Sequence, residues 1–207
     1  MRIGPACARV CASAGIALGA LGAWLGCGAA EAPPSDYALH PERFELRHGL
    51  KVPPRVHDDG SPDACDLLGE ASPQHLLGAE LGPAMRIYGL CHVAVSELAD
   101  PARSVGLEIR RDRESGVPHD LDAFWEREGG GVGMLGGSRD GIQEIDALGD
   151  YALWFPIDGG LQLFAYWQDE YILVLTIRGV PTERALAWGR ELARQGVVRA
   201  SSLAAAR

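Results

Sequence analysis

The sequence predicts an α+β domain: a mainly antiparallel sheet covered by short helices on both faces and closed by a C-terminal amphipathic helix. Three observations carry that expectation. In the stretch around Tyr151 to Arg178, three strand-like runs (DYALWFPI, LQLFAYWQ and EYILVLTIR) are separated by turn-forming residues. Stretches beginning near Met85 and Ser104 alternate apolar and polar residues with a period of two. After Val180-Pro181-Thr182, apolar residues recur at helical spacing through Ala185, Trp188, Leu192 and Gly196. Of the 207 residues, 47 % are hydrophobic and 23 % charged, enough apolar material for a packed core and too little charge for wholesale disorder.

In chain order, residues 1–26 read as a signal peptide. Arg2 and Arg9 are their only charges, an apolar run from Val10 to Gly26 follows, and Cys27 stands where cleavage would fall. A cysteine after Leu25-Gly26 resembles the lipobox of bacterial lipoproteins, which makes Cys27 the lipidation site. Trp24 occupies a place where that motif takes an aliphatic residue. Secretion after cleavage at Ala30 and an uncleaved anchor therefore stand as alternatives. The apolar run of 17 residues is short for a spanning helix of roughly 20. Gly28, not Asp, follows the cysteine, which points to the outer membrane if the cell has one.

Without the signal the chain holds 17 basic against 28 acidic residues, a net charge of −11. Such a surface repels nucleic acid and anionic headgroups. Its only lysine is Lys51 and it has no asparagine, hence no site for N-linked glycosylation. Cys7 and Cys11 leave with the signal, so Cys65 and Cys91 remain as an even pair in an exported domain. A disulfide closing that loop contributes roughly 3 kcal/mol. Free or metal-binding thiols are the weaker alternative, since no CxxC and no His at ligand spacing accompanies them.

Residues 27–60 read as a proline-rich tether, with Phe44, Leu46 and Leu50 able to add a short edge strand. His57-Asp58-Asp59 reads as a solvated loop, because neighbours on an extended chain point to opposite faces. A single α+β domain is expected over 61–200. Ser61-Pro62 and Ser72-Pro73 each signal a helix start, the second helix being stopped by Gly78. From Met85, one half-buried strand carries Met85, Ile87, Cys91, Val93 and Val95 on its apolar face, with His92 on the other. The next strand sets Val105, Leu107 and Ile109 against Ser104, Glu108 and Arg110, and ends in a solvated RRDRE (110–114).

Asp120–Glu128 predicts a short helix with Leu121, Phe124 and Trp125 on one side. It leads into the glycine-rich run 129–141, which reads as a mobile loop and a possible binding loop through Gly131, Gly133, Met134, Leu135 and Arg139. Gly131-Val-Gly133-Met-Leu-Gly136 matches G-x-G-x-x-G, but no strand precedes it and no helix follows, so a dinucleotide site is not expected. In the three-strand meander, two-residue turns would put Tyr151, Leu153, Phe155, Ile157, Phe164, Tyr166, Leu173, Leu175 and Ile177 on one face. Ala152, Trp154, Leu163, Ala165, Trp167, Ile172 and Val174 would form the other. Both faces are apolar, so the sheet should be covered on both sides. The final helix should fray after Val198, leaving 201–207 as a tail.

Cys-Asp-Leu-Leu (65–68), Leu-Leu-Gly (76–78), a second cysteine on the next strand, Leu-Gly-Asp-Tyr-Ala (148–152) and the closing hairpin with Arg-Glu-Leu-Ala-Arg (190–194) occur together over about 140 residues. The set resembles a paired-cysteine domain of unknown function in actinobacterial envelope lipoproteins. The resemblance implies an α+β sandwich similar to PsbP-like proteins and a lipid anchor, and it brings no catalytic residues. His92 departs from it, standing where an aromatic residue usually follows the second cysteine.

Function is therefore expected in one of two classes. The first is a non-enzymatic envelope lipoprotein that binds a protein or small-ligand partner, with an inhibitor or immunity lipoprotein for a basic enzyme as a variant. The second is a hydrolase. No G-x-S-x-G, H-E-x-x-H or S-x-x-K occurs, and neither a cofactor nor a metal is expected. An acidic pocket gathering His92 with two carboxylates would favour the enzyme; a sheet surface with an exposed apolar patch would favour binding.

Overall fold

A computed structural model describes residues 39–55, 62–87, 89–95, 103–111, 116–168 and 170–205, with side chains through Val198. The signal peptide, Cys27 and His57-Asp58-Asp59 lie outside these residues. The architecture is α+β. Seven antiparallel strands lie in the order β3-β4-β5-β9-β8-β7-β6, and a separate two-stranded hairpin, β1-β2, sits beside them. The strands are β1 (Glu45–Arg47), β2 (Leu50–Val52), β3 (Met85–Ile87), β4 (Leu90–Ala94), β5 (Ser104–Arg111), β6 (Gln143–Glu144), β7 (Tyr151–Ile157), β8 (Gly160–Trp167) and β9 (Tyr171–Arg178). The helices are α1 (Ala64–Glu70), α2 (Pro73–Leu77), α3 (Leu121–Met134) and α4 (Thr182–Ala205).

The sheet separates two cores. On its first face, Cys91, Val93, Val105, Leu107, Leu161, Leu163, Leu173 and Leu175 pack with Leu67 and Leu68 of α1, Leu76 and Leu77 of α2, and Ala185, Leu192 and Ala193 of α4. On the second face, Phe124 and Val132 of α3 pack on Leu153, Phe155, Phe164, Tyr166, Ile172 and Val174. Phe164 is the hub there, with ring centroids 5.2 Å from Phe124 and 6.1 Å from Phe155. Helix α4 lies close on the sheet because glycines face it. A methyl group at Gly189 would sit 3.0 Å from Leu175 Cδ2, and one at Gly196 would sit 2.9 Å from Leu173 Cδ1 and 3.0 Å from Leu67 Cδ2. The helix continues to Ala205 instead of fraying after Val198, as its alanine- and leucine-rich end favours.

Several expectations need correction, each for a local reason. The tether reading fails over 45–52: His48 (φ 47°) and Gly49 (φ 84°) form a tight turn, and Leu50 and Val52 are buried in the main core. The segment from Met85 is not one strand but a hairpin. Ile87 pairs with Leu90, which turns Met85 and Ile87 onto the face of His92, away from Cys91. The glycine-rich run is not a loop through Met134. Helix α3 persists across four glycines, each costing about 1 kcal/mol against alanine, because Val132 is buried and Gly129 lets the Trp125 ring lie flat on the helix. It ends at Gly136 (φ 81°), with Gly136 N–H on Gly133 O and Gly137 N–H on Val132 O, a Schellman closure.

The meander's first turn has two residues, as expected, but Trp167 pairs with Tyr171, so the second turn has three. That extra residue inverts β9. Leu173, Leu175 and Ile177 join Leu163, Ala165 and Trp167, while Ile172 and Val174 join Phe164 and Tyr166. At the end of β5, Arg110 and Arg111 are half-buried instead of solvated, donating to Glu128 at 2.8 Å and Glu170 at 2.7 Å.

Cys65 and Cys91 form the expected disulfide, with 5.1 Å between their α-carbons and both residues fully buried. Beside it, the N-cap of α1 is Asp63, not Ser61. Its Oδ1 accepts from the N–H groups of Cys65 (2.8 Å) and Asp66 (3.1 Å), and its Oδ2 accepts from Arg86 at 2.6 Å, with Arg55 at 3.4 Å. Arg86 pairs with Cys91 across the β3-β4 hairpin. One carboxylate thus caps the helix and ties it to the strands that carry the second cysteine. Burial alone would raise the Asp63 pKa. The Arg86 hydrogen bond, the Asp66 N–H and the charges of Arg86 and Arg55 outweigh it and hold it below the ordinary carboxylate value.

Two outcomes follow. Asp63→Ala leaves Arg86 buried without its carboxylate and α1 uncapped, and should cost about 3–5 kcal/mol in urea unfolding. Because the folded pKa is depressed, Asp63's contribution is fully present above the unfolded value of about 4 and is lost as pH falls through the folded one. The wild-type and variant unfolding midpoints should therefore converge in that acid range.

Candidate functional site

On the second face, pairing places one residue from each of four adjacent strands in a straight row: His92, Gly106, Thr176 and Gln162. The row sits at the border of the aromatic core, since Phe155 is the next residue across on β7. Gln162 Nε2 donates to Thr176 Oγ1 at 2.9 Å, which leaves the threonine hydroxyl proton available to an outside acceptor. Gly106 is the low point of the floor. Gly106 is buried, and a methyl group there would lie 3.6 Å from His92 Cδ2, 3.6 Å from Leu90 Cδ1 and 4.0 Å from Thr176 Cβ, so three side chains pack around it.

Alternation of side chains puts Ser104 and Arg178 one step along the strands from this row, and Glu108 one step the other way. Arg178 Nη1 donates to the Asp158 carbonyl at 2.9 Å, and among the described residues no carboxylate forms a salt bridge with it. At the sheet's rim, Met85 pairs with His92 and Ile87 with Leu90; Met85 is 53 % and Ile87 49 % exposed. The contrast with the first face is sharp. Cys91, Val93, Val105, Leu107 and Ile109 are buried there, whereas on the second face Ser104 and Gly106 are buried, His92 and Glu108 are half-buried and Met85 and Ile87 are exposed.

The residues expected to form a binding loop are not brought together. Gly131, Gly133 and Met134 lie in α3, Leu135 caps it, and Arg139 follows in a 3-10 turn, bonded to Asp122. The G-x-G-x-x-G match is thus the end of a helix, not the start of one. Cys65 and Cys91 are structural. His119 is exposed and His40 half-buried, each beside a carboxylate at 3.4 Å. His75 is exposed, and its carbonyl accepts from Arg184. Trp188 is a packing residue, its Nε1 donating to Ala71 O at 3.1 Å. A cleft of about 500 Å³, lined by His48, Lys51, Gln74, His75 and Glu80 among others, lies between the β1-β2 turn and the first two helices. It is the seam where that turn seats on α1. A methyl group at Gly69 would meet His48 Cβ at 2.9 Å, and His48 faces Glu70 at 3.4 Å.

Sequence reasoning missed Gly106, Thr176, Gln162 and Arg178 as a group. The available signal was that Gln162 and Thr176 are the polar interruptions of otherwise apolar strands, but only the register shows that they are neighbours. Among the described residues, no group of three His, Cys, Asp or Glu side chains could hold a metal ion, and no helix is long and apolar enough to cross a membrane. Comparisons with family models, curated proteins and solved structures give no match, so the site is read from its own chemistry.

Burial, with the charge of Arg178 beside it, lowers the His92 pKa from its ordinary value. The unfolded chain therefore takes up this proton first as pH falls through about 6.5, and His92 costs stability on the acid side of that value. Wild-type protein should lose more stability than His92→Phe between about pH 7 and 5 in parallel urea titrations.

Proposed function

We propose that this chain is an exported, lipid-anchored envelope lipoprotein of the paired-cysteine kind, which acts as a non-enzymatic binding module through the β3-β4 rim of its sheet. The observation that carries the binding reading is the uneven cover of the second face. At the rim of that face Met85 and Ile87 stand exposed beside the half-buried His92. Surfaces that combine a few placed polar groups with exposed apolar side chains are the usual form of a recognition site. Among the described residues, the neighbouring strand sets one carboxylate, Glu108, a step away from His92, where hydrolytic acid–base work would use a pair.

The compartment is supported by the buried Cys65–Cys91 disulfide, which belongs to an oxidising environment, and by the anchor that Cys27 would carry. Cys27→Ser removes the lipid attachment point. The wild-type chain should sediment with membranes and the variant should stay in the supernatant after carbonate-free ultracentrifugation. A variant that still sediments overturns the lipid anchor.

A further inference from the structure

We propose that the second half of α3, residues 129–134, is a strap that opens over Phe155 while the sheet beneath it stays folded. The two halves of this helix are held very differently. In the first, Phe124 is fully buried, Arg127 Nη1 donates to the Gly116 carbonyl at 2.8 Å, and Glu128 accepts from Arg110 at 2.8 Å. In the second, Val132 is the only buried side chain, and Met134 stands 86 % exposed.

Packing does not ask for most of the strap's glycines. A methyl group at Gly129 would meet the Trp125 ring at 2.9 Å, so that position must stay small. At Gly130, Gly131 and Gly133 a methyl group would meet nothing within 4 Å. Alanine would fit at all three, and each glycine kept there weakens the helix against the open chain about fivefold. Together they tilt this half roughly a hundredfold toward opening. Both of its ends are pinned: the near end by Glu128 on Arg110, the far end by the Leu135 carbonyl, which accepts from the Asp158 N–H at 3.0 Å. Between those pins the segment can give up its helix hydrogen bonds and withdraw Val132 without disturbing the strands. That withdrawal bares Phe155, so the aromatic core becomes reachable from solvent in a fold that is otherwise intact.

Native-state hydrogen exchange, followed by NMR on the purified full chain, tests this. The amides of Val132 and Met134 should be protected at least about a hundredfold less than that of Leu173 in β9, and less than that of Glu128, with little dependence on urea below the unfolding transition. Gly131→Ala should raise the protection of Val132 and Met134 about fivefold, and the triple variant G130A/G131A/G133A roughly a hundredfold. Equal protection of Val132 and Leu173 overturns the strap, because the segment then opens only with the whole fold. Equal protection of Val132 and Glu128 overturns the division of the helix into two halves. Alanine variants that leave the exchange unchanged overturn the part given to the glycines.

Discussion

The placement of one short helix determines how the first face of the sheet is filled. Ala64–Glu70 spans seven residues, too few to hold a helix in water by its own hydrogen bonds. It is held instead at three points: the disulfide to β4, the Asp63 cap shared with Arg86, and the Trp188 bond to the carbonyl that follows it. Once fixed, it delivers Leu67 and Leu68 to the centre of the core, where Leu67 meets α4 at Gly196. The last helix is therefore braced by the first one. The two cysteines act on the whole layer and not only on the strands that they join.

The two faces of the sheet are consequently unequal. The first is saturated by three helices. The second is filled by one helix over β7, β8 and β9, where the aromatic residues lie, and Arg110 of β5 is tied to that helix through Glu128. Polar groups in the first face would have been buried without water, a cost that only internal partners could offset. On the second face, buried Gln162 finds such a partner in Thr176. A rigid antiparallel framework beneath them holds Thr176 and Gln162 in register to within the pleat of the sheet, which suits a binding surface that works without large motion.

Much of this was legible in the sequence, because it depends on period. The alternation in 104–110, the helical stripe from Ala185 to Gly196 and the even cysteine pair all state a local geometry that tertiary packing leaves unchanged. What was not legible depends on counts of one. A third residue in the turn after Trp167 inverted an entire strand, and the pairing of Ile87 with Leu90 folded what reads as one strand into two. Helix α3 shows a different limit. Four glycines speak against a helix there, and the burial of Val132 against Phe155 overrides them. The candidate site was the least visible part, since its members are scattered from 92 to 178 and only cross-strand pairing assembles them.

The rims of the sheet have a consequence for a chain crowded among its own copies. One outer strand, β6, is two residues long, and the other, β3, is three. Beside β3, the Ala84 N–H is already taken by the Lys51 carbonyl, and Pro53 and Pro54, next in that segment, have no N–H to offer. Copies held on one plane meet far more often than copies free in solution, and an open sheet would then invite edge-to-edge stacking into fibrils. Short rims and a proline guard leave such stacking little backbone to build on.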